Sequence, residues 1–181
     1  MYGLVNQAIE DLMRSRYGDT IWGDIKQRAG VQIEAFLSME EYPDSLTYGL
    51  IQAAAEILVI STEEILRAFG EHWILYTGKK GYGEMFALAG KSLPDFLQNL
   101  DILHTRVGVI MPHLQPPSFV CTDIDEHSLD LHYYSQRQGL APMIIGLVQG
   151  WGKMFGNETE VCHIKGRHTG EDHNVFHVSW K

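Results

Sequence analysis

A histidine lies on the apolar face of a predicted helix in the middle of the chain. In the segment FLQNLDILHTRVGVIM, Leu97, Leu100, His104, Val107 and Met111 recur at spacings of three or four residues, so they share one helix face. A neutral imidazole among leucines must satisfy both ring nitrogens or carry a free-energy cost. A hydrogen bond in the core or a bound iron atom would each satisfy it. The position of His104 alone leaves both interpretations open.

Three hydrogen-bond donors follow an apolar run in the segment LHYYSQRQGL. Tyr133, Ser135 and Arg137 occupy alternate positions, and alternate residues of a strand point to the same face. The phenol, hydroxyl and guanidinium can all donate hydrogen bonds, and the guanidinium adds a positive charge. Such a set suits one or two carboxylates at the mouth of an apolar pocket. A strand that ends in a solvated turn would show the same residues.

Residue types that bind metals crowd the C-terminal segment, namely Cys162, His163, His168, His173 and His177. Zinc usually takes about four ligands at short spacings, often with paired cysteines, and this group contains a single cysteine. We therefore expect surface histidines here and no zinc site.

Length and composition limit the class of protein. A chain of 181 residues, 45% hydrophobic and 20% charged, suits one domain with a core large enough to enclose a ligand. The formal net charge of -9 repels phosphate backbones, so we expect no nucleic-acid partner. Two cysteines make no disulfide framework. The N-terminal segment lacks the apolar core of a signal peptide, and no apolar run reaches the roughly 18 residues that span a membrane, so we expect a cytoplasmic protein.

Helical periodicity dominates the first half of the chain. Apolar residues recur at helical spacing over residues 4–13, and Gly18 is expected to end that helix before a short second one that stops at Gly30. Asp44 is expected to cap a helix that runs to about Val59.

Two more helix starts follow. Ser61 and Glu64 have the spacing of a capping box. After a short helix that ends near Gly90, Ser92 and Pro94 are expected to open a longer helix that carries His104.

The pattern changes after Pro112. Residues 118–122 and 128–134 predict two strands joined by the polar turn DIDEH. Residues 140–155 return to helical spacing, and residues 159–180 contain two more strand-like runs. Helices that precede strands, with one helix between the strands, favour an α+β fold.

These segments together resemble the haem nitric oxide/oxygen binding (H-NOX) family, which is related to the haem domain of soluble guanylate cyclase. The residues that carry the resemblance are the initial M-Y-G, LHTRVGVIMPHLQPPSF around the histidine, RQGLAPM, and Y-Y-S-Q-R, which fits the family motif Y-x-S-x-R. The resemblance covers essentially the whole chain, residues 1–181. It implies a single haem-binding sensor domain, with a helical lobe over about residues 1–60. A haem-ligating lobe over about 61–181 would follow, with a small antiparallel sheet enclosing the haem.

The resemblance also implies a role for individual residues. His104 would be the proximal ligand of the iron, and Tyr133, Ser135 and Arg137 would bind the propionates of haem b. Further pocket residues implied in this way are Leu4, Val5, Trp73, Pro117 and Met143. Of these, Pro117 would press on the porphyrin, Trp73 and Met143 would lie on its distal side, and Leu4 and Val5 would lie near the ring.

The implied function is that of a gas sensor and not of an enzyme. Nitric oxide and carbon monoxide would bind a five-coordinate ferrous haem, and the signal would pass to a separate partner, a histidine kinase or a cyclic-dinucleotide enzyme. Oxygen-binding relatives carry a distal tyrosine shortly after the motif arginine, where residues 140–143 here read LAPM, so we expect little stable oxygen binding. Trp73, Tyr2 and Tyr76 are the other candidate donors, and His72 is expected to face outward.

Two alternatives belong to other classes. A haem enzyme of the peroxidase type would need a distal acid–base pair, which the expected pocket residues do not supply. A module without haem could instead bind an apolar carboxylic acid, with Arg137 as its clamp.

Overall fold

The computed structural model describes residues 1–77, 80–81, 83–166 and 170–181. Within them the first half of the chain is helical, with α1 (Gly3–Arg28), α2 (Asp44–Leu58), α3 (Thr62–Thr77), α4 (Gly83–Ala89), α5 (Leu93–Gln98) and α6 (Leu100–Ile110). The second half contains β1 (Ser118–Thr122), β2 (Ser128–Tyr134), α7 (Ala141–Phe155), β3 (Thr159–Lys165) and β4 (Asn174–Trp180). The fold is α+β, as the order of the sequence patterns predicted.

The four strands form one antiparallel sheet in the order β1-β2-β4-β3. The predicted bounds of β1 and β2 are confirmed, and buried residues alternate with partly exposed ones along β2. Phe119 pairs with Tyr133, and Leu131 pairs with Phe176. These four side chains share the face of the sheet that is buried against the helices.

Two predicted helix starts are confirmed. The Ser61 hydroxyl accepts from the Glu64 backbone N–H at 3.1 Å, and the Ser61 N–H donates to Glu64 Oε2 at 2.9 Å, as a capping box requires. The Ser92 hydroxyl accepts from the Asp95 N–H at the start of α5. Gly18 interrupts α1 with φ 85°, a conformation that favours glycine, but the helix resumes immediately and runs to Arg28.

The longer helix expected after Ser92 is wrong, because the chain breaks at Asn99 into α5 and α6. The Asn99 side-chain amide donates to the Asp95 carbonyl at 2.9 Å. Asparagine competes in this way for the backbone groups that a continuous helix would use. The expected cap at Asp44 is also wrong, since Pro43 holds the cap position and no side chain caps α2.

Buried side chains form two clusters. The first joins α1, α2 and α3 around residues such as Phe69, and the second joins the sheet to α5, α6 and α7 around residues such as Phe96. Trp73 and Met143 pack against both clusters.

Helices α3 and α7 approach each other closely through glycines. A Cβ at Gly70 would overlap the Met143 carbonyl oxygen, and one at Gly146 would overlap the Arg67 carbonyl oxygen. The two backbones can therefore touch only where side chains are absent.

Of the helices in the described part of the chain, none combines the length and the apolar character needed to cross a membrane.

Candidate functional site

A cavity of about 490 Å³ is lined by members of both core clusters. This volume lies within the range of about 300–1,000 Å³ usual for small-molecule and cofactor sites. All nine residues expected at the site from the sequence line it: His104, Tyr133, Ser135, Arg137, Leu4, Val5, Trp73, Pro117 and Met143. The structure therefore brings the set together, and the role of each residue stays a prediction.

His104 reaches the cavity from the middle of α6. Its Nδ1 atom is buried, and no atom of the described residues meets hydrogen-bond geometry with it. Burial lowers the pKa of His104 below the ordinary value of 6.5, although the Asp101 carboxylate and the Pro117 backbone oppose that shift. The imidazole is consequently neutral near pH 7, and it keeps a lone pair available to a metal.

Asp101, which the sequence reasoning missed, ties α6 to the start of β1. Its Oδ2 accepts from the Ser118 hydroxyl and its Oδ1 from the Phe119 N–H, both at 2.7 Å. The Phe119 ring lies 5.8 Å from the His104 ring and 5.4 Å from the Tyr133 ring, measured between centroids. A carboxylate one turn before an apolar-face histidine was the only available signal for this contact.

Polar groups gather at the exposed end of the cavity. Arg137 Nε donates to Asp44 Oδ2 at 2.7 Å, and its Nη1 donates to the Gln115 carbonyl at 2.8 Å. The Arg137 backbone N–H donates to the Ser135 hydroxyl at 3.1 Å. The remaining N–H donors of the guanidinium can serve a ligand carboxylate.

The predicted strand does not extend through the whole of this motif. β2 ends at Tyr134, so Ser135 and Arg137 lie beyond the strand and not on its face. The bond from the Arg137 N–H to the Ser135 hydroxyl turns the chain there, and this turn keeps both side chains at the cavity.

Asp44, which was expected to cap α2, instead binds the Met1 ammonium and Arg137. Burial raises its pKa, but hydrogen bonds from the Met1 ammonium and from Arg137 outweigh that effect, so the pKa of Asp44 is lowered overall. Asp44 is therefore ionised near neutral pH and holds Arg137 at the cavity. Two cationic partners explain why its carboxylate does not cap α2.

The expected distal residues Trp73 and Met143 come from α3 and α7, and Leu4 and Val5, expected near the ring, come from α1. The Trp73 ring packs edge-on against Phe69, with centroids 6.0 Å apart. The Tyr2 hydroxyl accepts from the His113 N–H at 3.2 Å, and Tyr2 lines the cavity.

Two other residues considered for the distal side lie elsewhere. The Tyr76 hydroxyl donates to Gln7 at 3.3 Å, and Tyr76 is absent from the described lining. His72 also lies outside the lining, but its ring contacts Asp11 of α1 at 2.8 Å instead of facing solvent as expected.

The C-terminal histidines are engaged separately. His163 contacts Asn174, His173 contacts His132, and His177 contacts Asp130, while Cys162 is exposed. His168 lies outside the described residues. In the described ranges no group of three or more histidine, cysteine or acidic side chains could hold a metal ion. The expected absence of zinc stays a prediction.

Comparison with known proteins places this site in a family. The family model described as "Haem-NO-binding" matches residues 2–163. Soluble guanylate cyclase gcy-35 of Caenorhabditis elegans is 32% identical over 170 residues, which are 92% of this chain and 25% of that protein. Soluble guanylate cyclase gcy-31 of the same organism is 27% identical over 98% of this chain and 25% of its own length. The chain thus spans about a quarter of the curated relatives that it matches.

Solved structures agree on the fold. An H-NOX protein from S. oneidensis in the Fe(II)NO state superposes with a TM-score of 0.90 at 19% identity, covering 100% of this chain and 99% of that one. Unliganded Fe(II) H-NOX from K. algicida gives 0.87 at 21% identity, covering 100% and 97%. The matched family is one of binding modules and not of enzymes. The chain therefore belongs to the haem-NO-binding family: it is an H-NOX haem gas-sensor domain related to the haem domains of soluble guanylate cyclases.

Proposed function

We propose that this domain binds haem b through His104 and senses nitric oxide, with carbon monoxide as a second ligand. The observation that carries the proposal is the buried Nδ1 of His104, which has no hydrogen-bond partner of good geometry in the described residues, at a cavity with an apolar interior and a polar mouth that includes Arg137. Haem is an apolar plate with two anionic groups, so the residues present fit it. When bound, it would supply an iron that can bind a diatomic gas.

His104 would be the iron's protein ligand. Ligating histidines usually direct their second ring nitrogen to a carbonyl or carboxylate, which fixes the ring and raises its basicity. The Pro117 backbone and the Asp101 carboxylate both act on this imidazole already. Nδ1 would direct its N–H to one of these groups, which leaves the other ring nitrogen for the iron.

The other residues would bind, orient and exclude water. Tyr133, Ser135 and Arg137 would hold the two carboxylates at the mouth, and Pro117 would press on the porphyrin face. Leu4, Val5, Trp73 and Met143 would line the distal side and keep water from the gas site. The proposed division into a helical lobe over about residues 1–60 and a haem-ligating lobe over about 61–181 does not coincide with the two core clusters, because the first cluster also includes residues of α3.

Selectivity for nitric oxide and carbon monoxide would follow from the distal side. Bound oxygen becomes partly anionic and needs a hydrogen-bond donor, which the other two gases need less. Thr77 also lines the cavity, but its hydroxyl already donates its hydrogen to the Trp73 carbonyl at 2.6 Å and so would not donate to bound oxygen. H-NOX proteins of S. oneidensis have been solved with nitric oxide and with carbon monoxide, which supports both ligands here.

The signal would leave through a separate partner, a histidine kinase or a cyclic-dinucleotide enzyme. The relatives are named soluble guanylate cyclases, so a guanylate cyclase is a further candidate for the protein that receives the signal. A cytoplasmic location stays a prediction.

The test is the visible spectrum of the reduced, haem-loaded protein, before and after nitric oxide, carbon monoxide or air. We expect stable nitric oxide and carbon monoxide complexes and no long-lived oxygen complex. His104→Gly should lose haem unless imidazole is supplied, whereas His127→Gly, at an exposed turn, should behave as wild type. An unchanged spectrum in His104→Gly refutes the assignment of the ligand. Rapid turnover of peroxide would favour the peroxidase alternative, and failure to take up haem would favour the carboxylic-acid module.

A further inference from the structure

Asp101 occupies the first turn of α6, three residues before His104. Both of its carboxylate oxygens accept hydrogen bonds, one from the Ser118 hydroxyl and one from the Phe119 backbone, each at 2.7 Å. Hydrogen bonds to an ionised acceptor are roughly twice as strong as neutral ones, so this is a firm connection between two elements that are not neighbours in sequence.

The residues bound by Asp101 adjoin the candidate site directly. Ser118 follows Pro117, whose backbone acts on His104 and whose ring lines the cavity. The Phe119 ring lies between the rings of His104 and Tyr133. Asp101 therefore connects α6 to the segment that carries Pro117 and Phe119.

Few other polar contacts fix α6. In the described part of the chain, the Thr105 hydroxyl only donates back to the Asp101 carbonyl within the helix, and Ile102, Val109 and Ile110 are exposed on its outer face. Leu100 and Leu103 pack the inner face of α6 into the second core cluster, and Asp101 adds a polar connection that fixes the helix next to His104.

We propose that Asp101 is a positioning residue that fixes His104 relative to Pro117 and Phe119, and thereby sets the strength of the bond between His104 and the iron. This inference rests on the proposed function. Asp101 is absent from the cavity lining that the structure describes, so it would act on the iron only through His104.

Three variants separate position from charge. Asp101→Ala removes both hydrogen bonds and the charge. Asp101→Asn removes the charge but keeps an oxygen for the Phe119 N–H and an amide beside the Ser118 hydroxyl. Ser118→Ala removes one hydrogen bond and keeps the charge. Asp95→Asn, at an exposed site on α5, is the matched control.

Two measurements are made on the haem-loaded proteins: the iron–histidine stretching frequency by resonance Raman, and the rate at which His104 leaves the iron after nitric oxide is added. Asp101→Ala should lower the frequency and speed the release about tenfold, the low end of the range for outer-shell partners of metal ligands. Asp101→Asn should recover at least half of the difference between Asp101→Ala and wild type in both quantities. Ser118→Ala should give values between those of Asp101→Ala and wild type, and Asp95→Asn should match wild type.

A third measurement needs no haem. Exchange of the Phe119 amide hydrogen in the haem-free protein should be faster in Asp101→Ala than in wild type, since that variant loses the acceptor. If Asp101→Ala does not fold, Ser118→Ala and Asp101→Asn carry the spectroscopic comparison.

The outcomes distinguish the two proposals. A wild-type protein whose haem lacks a histidine ligand overturns the proposed function and this inference together. A normal wild-type spectrum, with Asp101→Ala unchanged in frequency and release rate, overturns the inference alone. Equal defects in Asp101→Ala and Asp101→Asn also overturn it, because they would show an effect of charge without one of position.

Discussion

Two sides of the cavity are built in different ways. The packed side consists of α3 and α7, whose backbones meet at Gly70 and Gly146. The ligand side consists of α6 and β1, which Asp101 joins by two hydrogen bonds. Just beyond the end of α6, the His113 N–H donates to the Tyr2 hydroxyl at 3.2 Å, and the helix leaves Val109 83% exposed.

This difference separates rigidity from mobility. Close-packed backbones resist displacement, because any shift creates overlap or a void. A helix held by a few polar contacts near its ends can move when one of them is lost. In a sensor the side that carries the iron ligand would then be the mobile one, and the side that shapes the gas site would stay fixed.

The largest expected effect is on haem retention by Arg137 and Ser135, which lie at the cavity mouth between the two sides. Arg137→Ala should weaken haem retention by about 1.5–3 kcal/mol, the contribution of a charge-assisted hydrogen bond, and Ser135→Ala by only about 1 kcal/mol. The rate of haem transfer to an acceptor protein measures both. Arg106→Ala, an exposed arginine on α6, is the control. Wild-type transfer rates in both motif variants would contradict carboxylate binding by this motif.

Gly146→Ala tests the packed side. The new methyl group would overlap the Arg67 carbonyl oxygen, and a backbone oxygen cannot move aside as a flexible side chain can. Overpacking of this kind costs about 1–3 kcal/mol. We expect a lower free energy of unfolding, measured by denaturant titration of the haem-free protein. A stability equal to wild type would show that α3 and α7 can separate, and the contrast between the two sides would be lost.

Local patterns predicted the elements better than their long-range partners. Two strand-like runs joined by a polar turn predicted β1 and β2, and the capping box located the start of α3, because both signals lie within a few residues. The motif residues were found because their types suit an apolar plate with carboxylates.

The contacts of Asp44, Asp101 and Gly146, which the sequence did not reveal, depend on residues far apart in sequence. Asp44 meets Arg137 across 93 positions, and Asp101 meets Phe119 across 18. The overlap that Gly146 avoids arises only when α7 lies on α3. Such contacts are set by the packing of complete elements, so one sequence read locally does not contain them.

Gly108→Ala is the matched experiment on the ligand side. Gly108 lies inside α6, and a Cβ there would meet no atom within 4 Å. Alanine lowers the conformational entropy of the unfolded chain, so the substitution should stabilise the protein by about 0.5–1 kcal/mol. Denaturant titration should therefore show a higher free energy of unfolding for Gly108→Ala, whereas it should show a lower one for Gly146→Ala. A loss at Gly108 would mean that α6 is packed more tightly than its exposed face indicates.

The smallest effect concerns pH and the Asp44 contact between α2 and Arg137. The pKa of Asp44 is lowered in the folded protein, so its ionised form stabilises the fold above the ordinary value of 3.8. That stabilisation is lost as the pH falls from about 3.8 through the lowered folded value, because the unfolded chain binds the proton first. Asp44→Asn cannot titrate, so the stability difference between wild type and this variant should shrink over that range. The difference at neutral pH should stay below about 1 kcal/mol, since 38% of the Asp44 side chain is exposed and solvent screens the pair. Unfolding titrations at pH 6 and at successively lower pH values measure it, with Asp95→Asn as the exposed control. A difference that does not change with pH would show that Asp44 holds Arg137 by geometry and not by charge.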